Sequence, residues 1–231
     1  SRTGTLQLVT GIINPGIAYF RFSAFWLSVV AAQSPSDFYT VWNSFISNAL
    51  DVSKSPKGLI LDLRSNGGGA TSDLDFVTGN FIDKPLVFAQ THLKSGPGRL
   101  DHSPWMDAIV TPTVGAKAYD RPIVVLTDRY TASMAEITAM AFRSLPGIKV
   151  TIAGDTTAGA NGPLSPSVDL FNGGQFTFAG FGFVYTSSAA YRYNGNSYEG
   201  QGYPPDVYIP FVYAPGFGTD RQLDEAIRLL K

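Results

Sequence analysis

The sequence predicts an α/β fold: a mainly parallel sheet covered by helices, with antiparallel hairpins added. Three observations carry this expectation. Short apolar runs recur at Leu59-Ile60-Leu61-Asp62-Leu63, Ile123-Val124-Val125-Leu126 and Ile148-Lys149-Val150-Thr151-Ile152, with the length and near-uniform apolarity of strands buried on both faces. Each run ends in a polar or glycine-containing loop. The first two then pass into helical periodicity, the strand–loop–helix order of parallel sheets.

The elements follow in chain order. Ile17 to Phe22, "IAYFRF", reads as an earlier strand. In "SPSDFYTVWNSFISNALDV" the residues Phe38, Val41, Trp42, Phe45, Ile46, Ala49 and Leu50 fall on one helical face, and Pro35 and Ser36 suit the first turn. Leu74, Val77, Phe81 and Ile82 predict a second helix, and Met134, Ile137, Ala141 and Leu145 a third. Leu223, Ala226, Ile227 and Leu230 predict a last helix with Asp220 near its start. Residues 90–120, rich in Gly, Pro and Ser, read as a long loop. Residues 171–200 read as antiparallel hairpins, with Phe176, Phe178, Phe181, Phe183 and Tyr185 mostly alternating and Asn194-Gly195 as a tight turn.

Composition narrows the function. A chain of 231 residues, 44% of them hydrophobic, can bury one substantial core. Seventeen basic and 18 acidic residues give a net charge of -1 with no basic patch, so nucleic acid is a poor partner. The absence of cysteine removes a thiol nucleophile and a thiolate zinc site. No run approaches the ~18 apolar residues of a membrane helix. His92 and His102 are the only two histidines.

Four loops carry the candidate chemistry. "DLRSNGGG", Asp62 to Gly69, follows a buried strand where open α/β sheets place ligands, and its glycines let backbone N–H groups approach an oxyanion or a phosphate. It lacks the Gly-Lys-Ser/Thr ending of a P-loop. "YTASMAEI", Tyr130 to Ile137, places Ser133 at a helix start. There it is either the first residue of a capping box with Glu136 or a nucleophile with the Met134 N–H beside a developing oxyanion. "GDTTAGANG", Gly154 to Gly162, is a third site-lining loop, and "YEGQGYPPD", Tyr198 to Asp206, a fourth that carries Glu199.

Together and in this order, these loops resemble the motifs of the C-terminal processing (tail-specific) serine peptidases. The match runs from about Ile17 to the last helix. It implies a ClpP/crotonase-like core of stacked ββα units, with residues 1–231 as a single catalytic core lacking the family's N-terminal helical and PDZ regions. It places Ser133 at the nucleophile position, with oxyanion donors on Met134 and on Gly68 or its neighbour Gly67. It implies a peptide or protein substrate, no cofactor and no metal, and an extracytoplasmic location.

The sequence departs from that pattern at the base. Where the processing peptidases carry a catalytic lysine, this chain has Ala160. A tricorn-like branch uses serine, histidine and glutamate, with the glutamate seven residues before the aspartate of the "PD" motif. Glu199 and Asp206 have that spacing, so Glu199 is the expected orienting carboxylate. The family pattern does not place the base where His92 and His102 lie. The histidine is therefore expected from an N-terminal segment or a second chain. Two other readings remain: a non-catalytic relative that binds a peptide or apolar ligand, and a crotonase-like acyl-CoA enzyme.

Overall fold

A computed structural model describes residues 6–13, 16–93, 95, 101–161, 189–210 and 219–231. Its centre is a six-stranded sheet. An antiparallel hairpin of β1 (Leu8–Ile13) and β2 (Ile17–Phe22) forms one edge. Then β3 (Gly58–Asp62), β6 (Ile123–Thr127), β7 (Val150–Gly154) and the short β9 (Val207–Tyr208) continue in parallel, in the order β1-β2-β3-β6-β7-β9.

Every residue of β3, β6 and β7 is buried, because both faces of the sheet are covered. Leu59, Leu61, Ile123, Val125, Val150 and Ile152 point into the larger core, under α2 (Pro35–Leu50) and α4 (Met134–Arg143). Ile60, Val124, Leu126 and Ala153 meet Ala226 and Leu230 at α5 (Arg221–Leu229) on the other side. Asp220 caps α5 by accepting the Leu223 N–H at 3.0 Å. The larger core is aromatic: Phe20 stacks on Phe45 at 3.7 Å, and Trp42 packs edge-on against both. Pro35 opens α2, as the sequence predicts.

Three expectations need correction, and one short helix is new. Residues 90–120 are not one loop. β4 (Leu86–Leu93) and β5 (Met106–Val110) pair antiparallel and, with β8 (Ala189–Arg192), form a second sheet in the order β5-β4-β8. A bulge between Val87 and Ala89 breaks the period-2 pattern that would have announced β4. The second helix, α3 (Asp73–Thr78), passes into a 3₁₀ turn at Gly79–Phe81 and leaves Ile82 extended. There the Gly79 carbonyl accepts the Thr113 N–H at 2.8 Å rather than a helical donor. The third parallel strand begins at Val150, two residues later than its apolar run, and a short α1 (Leu27–Gln33) precedes α2. Phe176 to Tyr185 lie outside the described residues. The Asn194-Gly195 turn is present, with both residues at positive φ and Tyr193 bridged to Asn196.

Because Phe45 is fully buried between Phe20 and Trp42, Phe45→Ala should lower unfolding free energy by about 3–5 kcal/mol. Chemical denaturation measures this. A loss under ~1 kcal/mol would show that the aromatic cluster is not the main packing unit.

Candidate active site

Three of the four loops leave the carboxyl ends of neighbouring strands β3, β6 and β7, the crevice where such sheets bind ligands. Ser133 lies at the turn into α4 with φ 55° and ψ −125°. Only Ser65, Ser133 and Asn194 combine a side chain with positive φ among the described residues. Such a backbone is costly and persists only where its surroundings fix it. Here they do. The Ser133 N–H donates to Glu136 Oε2 at 3.0 Å, the Ala132 N–H to the Asn66 carbonyl at 2.9 Å and the Ala158 N–H to the Thr131 carbonyl at 2.9 Å.

Glu136 is fully buried and far more than a capping partner. Oε2 also accepts the Ala160 N–H at 2.9 Å, while Oε1 accepts the Gly159 N–H at 2.8 Å and the Thr157 hydroxyl. All four of these partners are neutral donors, and the α4 N-terminus adds its dipole. Thr157 Oγ1 in turn accepts the Tyr203 N–H. One carboxylate thus fastens the serine turn to the third loop and, through Thr157, to the fourth.

The three consecutive glycines separate by role. A Cβ on Gly68 (φ +88°) would sit 2.6 Å from Ser133 Cβ and 2.8 Å from both the Ala132 carbonyl and the Met134 nitrogen. A Cβ on Gly69 would strike the Phe25 carbonyl at 2.2 Å, whereas one on Gly67 would meet nothing. Gly68 is therefore the residue that lets the first loop touch Ser133. Its N–H is held at 2.9 Å by Asn66 Oδ1, and Asn66 Nδ2 donates to the Phe22 carbonyl at 2.8 Å. Met134 occupies the first helical position, where the helix itself supplies no acceptor for the N–H.

The first loop is also clamped from behind. Arg64 binds both oxygens of Asp62 and both of Asp220 at 2.6–2.8 Å, and the Tyr19 hydroxyl donates to Asp62 at 2.8 Å. Burial opposes the Arg64 charge, but the hydrogen bonds it donates to Asp62 and Asp220 outweigh that and raise its pKa. Asp128 ties the first and second loops together. It accepts from the Ser65 N–H and hydroxyl at 2.9 and 3.0 Å and from the Tyr130 N–H at 2.9 Å.

Glu199 is exposed and lies against the third loop, with Oε2 accepting the Asn161 N–H at 2.9 Å. The Gly200 N–H donates to the Gly159 carbonyl at 2.7 Å, and a Cβ on Gly159 would sit 2.5 Å from the Gly202 nitrogen. Asp206 does something different. It accepts the Ile152 N–H and an Arg143 Nη1–H, both at 2.8 Å, and so pins the fourth loop to β7 and α4.

The histidines stand elsewhere. In the β4–β5 register Ala89 and Thr91 pair with Ala108 and Met106. Buried Ala89 and Ala108 mark the core face, and Thr91 and Ala108 line a cavity with Met134. By strand alternation His92 takes the outward face. There its ring lies between those of His102 and Trp105, at 4.3 and 3.9 Å, and Arg192 covers Trp105 at 4.2 Å. Desolvation, then the neighbouring His102 and Arg192, hold the His92 pKa below its ordinary value. No cluster of three His, Cys, Asp or Glu side chains suited to a metal occurs among the described residues.

Sequence reasoning singled out Ser133, Met134, Gly67, Gly68 and Glu199, and saw Glu136 as a capping residue. It missed Asn66, Asp128, Thr157 and Asn161, whose only signal is their place inside or beside the four loops. Two substitutions test the assembly. Glu136→Gln sets an amide donor against N–H donors and should lower stability by about 2–4 kcal/mol, read by thermal unfolding. Gly68→Ala should slow reaction of Ser133 with an active-site probe by on the order of 10²-fold through sub-ångström misplacement. Labelling at the wild-type rate would show that the close approach is not needed.

The model of Peptidase family S41 matches residues 16–209. The carboxy-terminal processing protease CtpA of Bacillus subtilis (strain 168) is 33% identical over 116 residues, covering 49% of this chain and 22% of that protein, so the chain spans only a minor part of that curated relative. A solved structure described as a candidate peptidase from Parabacteroides merdae superposes with a TM-score of 0.70 at 25% identity, covering 99% of this chain and 67% of that one. The photosystem II D1 C-terminal processing protease shares the fold, with a TM-score of 0.56 at 23% identity over 89% of this chain and 48% of its own. With the family model matching residues 16–209, most of its length, the chain belongs to Peptidase family S41.

Proposed function

We propose that the chain is the catalytic core of a serine endopeptidase acting on extended peptide or protein substrates, with Ser133 as nucleophile. The observation that carries this is the strained turn at Ser133, fixed by Glu136 and closed by Gly68. A structural cap needs no such conformation, since ordinary N-caps use extended backbone. Ser133 Oγ attacks the scissile carbonyl carbon and its proton passes to a base. The negative charge that develops on the carbonyl oxygen faces the N–H of Met134 and a donor from the first loop. Gly68 offers its N–H only in competition with Asn66 Oδ1, and Gly67 is the adjacent alternative. The proton then moves to the departing amine, leaving an acyl-enzyme that water hydrolyses.

Ala160 replaces the lysine of a serine–lysine dyad, and His92 lies on the outward face of its sheet. We therefore assign the base to a histidine on an N-terminal segment or second chain, with Glu199 orienting it as in the tricorn-like branch. The Asn161 N–H fixes one Glu199 oxygen for that task. The extracytoplasmic location rests on the resemblance to tail-specific peptidases. No helix among the described residues is long and apolar enough to cross a membrane.

The test is covalent labelling of the full-length protein with a fluorophosphonate and mapping of the adduct. Ser133 should carry it, and Ser133→Ala should abolish it. Glu199→Gln should cut kcat on the order of 10²–10⁴-fold, and kcat/KM should rise with pH through about 6–7 as a histidine base loses its proton. A folded protein that takes no label would sink the proposal.

A further inference from the structure

Among the described residues, the side chains with buried polar atoms lacking a hydrogen-bond partner are four single hydroxyls, on Thr10, Thr78, Thr138 and Tyr119, and one complete amide, on Asn161. The amide is the anomaly. It holds two donors and an acceptor oxygen, it is 1% exposed, and neither Oδ1 nor Nδ2 is paired. Buried amides left this way are rare in folded proteins and call for a reason.

The position supplies one. The Asn161 N–H binds Glu199 Oε2, and the preceding Ala160 N–H binds the same Glu136 oxygen that receives the Ser133 N–H. The unpaired amide is thus attached to the backbone that fixes both groups. Its flanks, Ala160, Glu199 and Gly200, are exposed, so it lies close beneath the surface of the site.

A partner for both atoms must offer an acceptor and a donor side by side. An imidazole presents its donor and acceptor on separate ring positions and would satisfy one atom. An extended main chain presents an N–H and a C=O on the same side, as strands do to one another. We propose that Asn161 is a positioning residue whose amide receives the main chain of an extended peptide lying across the site. This rests on the peptidase reading above. Two sources share the chemistry: the substrate itself, or the enzyme's own base-bearing segment.

The test uses Asn161→Leu, close in shape but apolar, with Asn161→Ala as the smaller partner, in the full-length protein. With substrate as the occupant the amide is unpaired in the free enzyme, and the Tm of the Leu variant should rise by about 2–4 °C; with the base-bearing segment as the occupant it should fall by a similar amount. In both variants kcat/KM for a fluorogenic peptide should fall about tenfold or more. If fluorophosphonate labelling of Ser133 stays within about twofold of wild type, the occupant is substrate, because a small probe needs the base but not the peptide contacts. If labelling falls in parallel with cleavage, the occupant is the base-bearing segment. Unchanged kcat/KM in both variants, or a Tm that moves against the labelling result, overturns the proposal. If the wild-type protein neither labels nor cleaves, the peptidase reading is what fails. Titration with a fluorescent peptide then decides the amide's role: weaker binding by both variants supports it, and equal binding removes it.

Discussion

The site depends on the carboxylate of Glu136. A buried anion is tolerated only when donors surround it, and here the donors come from three places in the chain: the Ser133 turn, Thr157 and the Gly159-Ala160 backbone. Among the described residues its charge is met by dipoles and not by a cation, so the interaction is directional. Each N–H must point at one of two oxygens, and this sets the orientation of two loops relative to α4. The S-x-x-E pattern is local, but its consequence is tertiary.

Close backbone approach completes what Glu136 begins. Gly68 lies against Ser133, Gly159 against the Gly200–Gly202 turn, and Gly202 against the Thr157 carbonyl. At each of these contacts a Cβ would overlap a neighbour, so the glycines are spacers of zero thickness between loops. The strain at Ser133 is maintained by this crowding, which presents its side chain at the start of a helix where the Met134 N–H has no helical acceptor.

The rigid frame lies beneath. Two apolar layers sandwich the parallel strands, one rich in stacked aromatics and the other closed by α5. The Arg64 clamp joins the first loop to the α5 cap through Asp62 and Asp220. Bidentate pairs of this kind fix geometry as much as they stabilise, so the last helix of the chain restrains the loop beside the serine.

The parallel strands were legible because burial on both faces demands unbroken apolar runs, and α2 because one face of a long helix is apolar. Three of the four loops were legible by their glycines and the second by its S-x-x-E spacing, all four by their order, and the family model spans them. β4 and β5 were not, since a bulge erases alternation and the Gly- and Pro-rich residues between them dominate the local signal. Nor was the end of α3, where a long-range bond from Thr113 to the Gly79 carbonyl competes with the helix. The sequence by itself determined which residue types stand at the ends of which strands. Only the tertiary structure decided that Glu136 fastens loops, that the Asn161 amide is buried without a partner and that His92 takes the outward face of its sheet. Those outcomes depend on register and on contacts between residues distant in the chain, and a one-residue change in strand pairing would reverse the face on which a side chain lies.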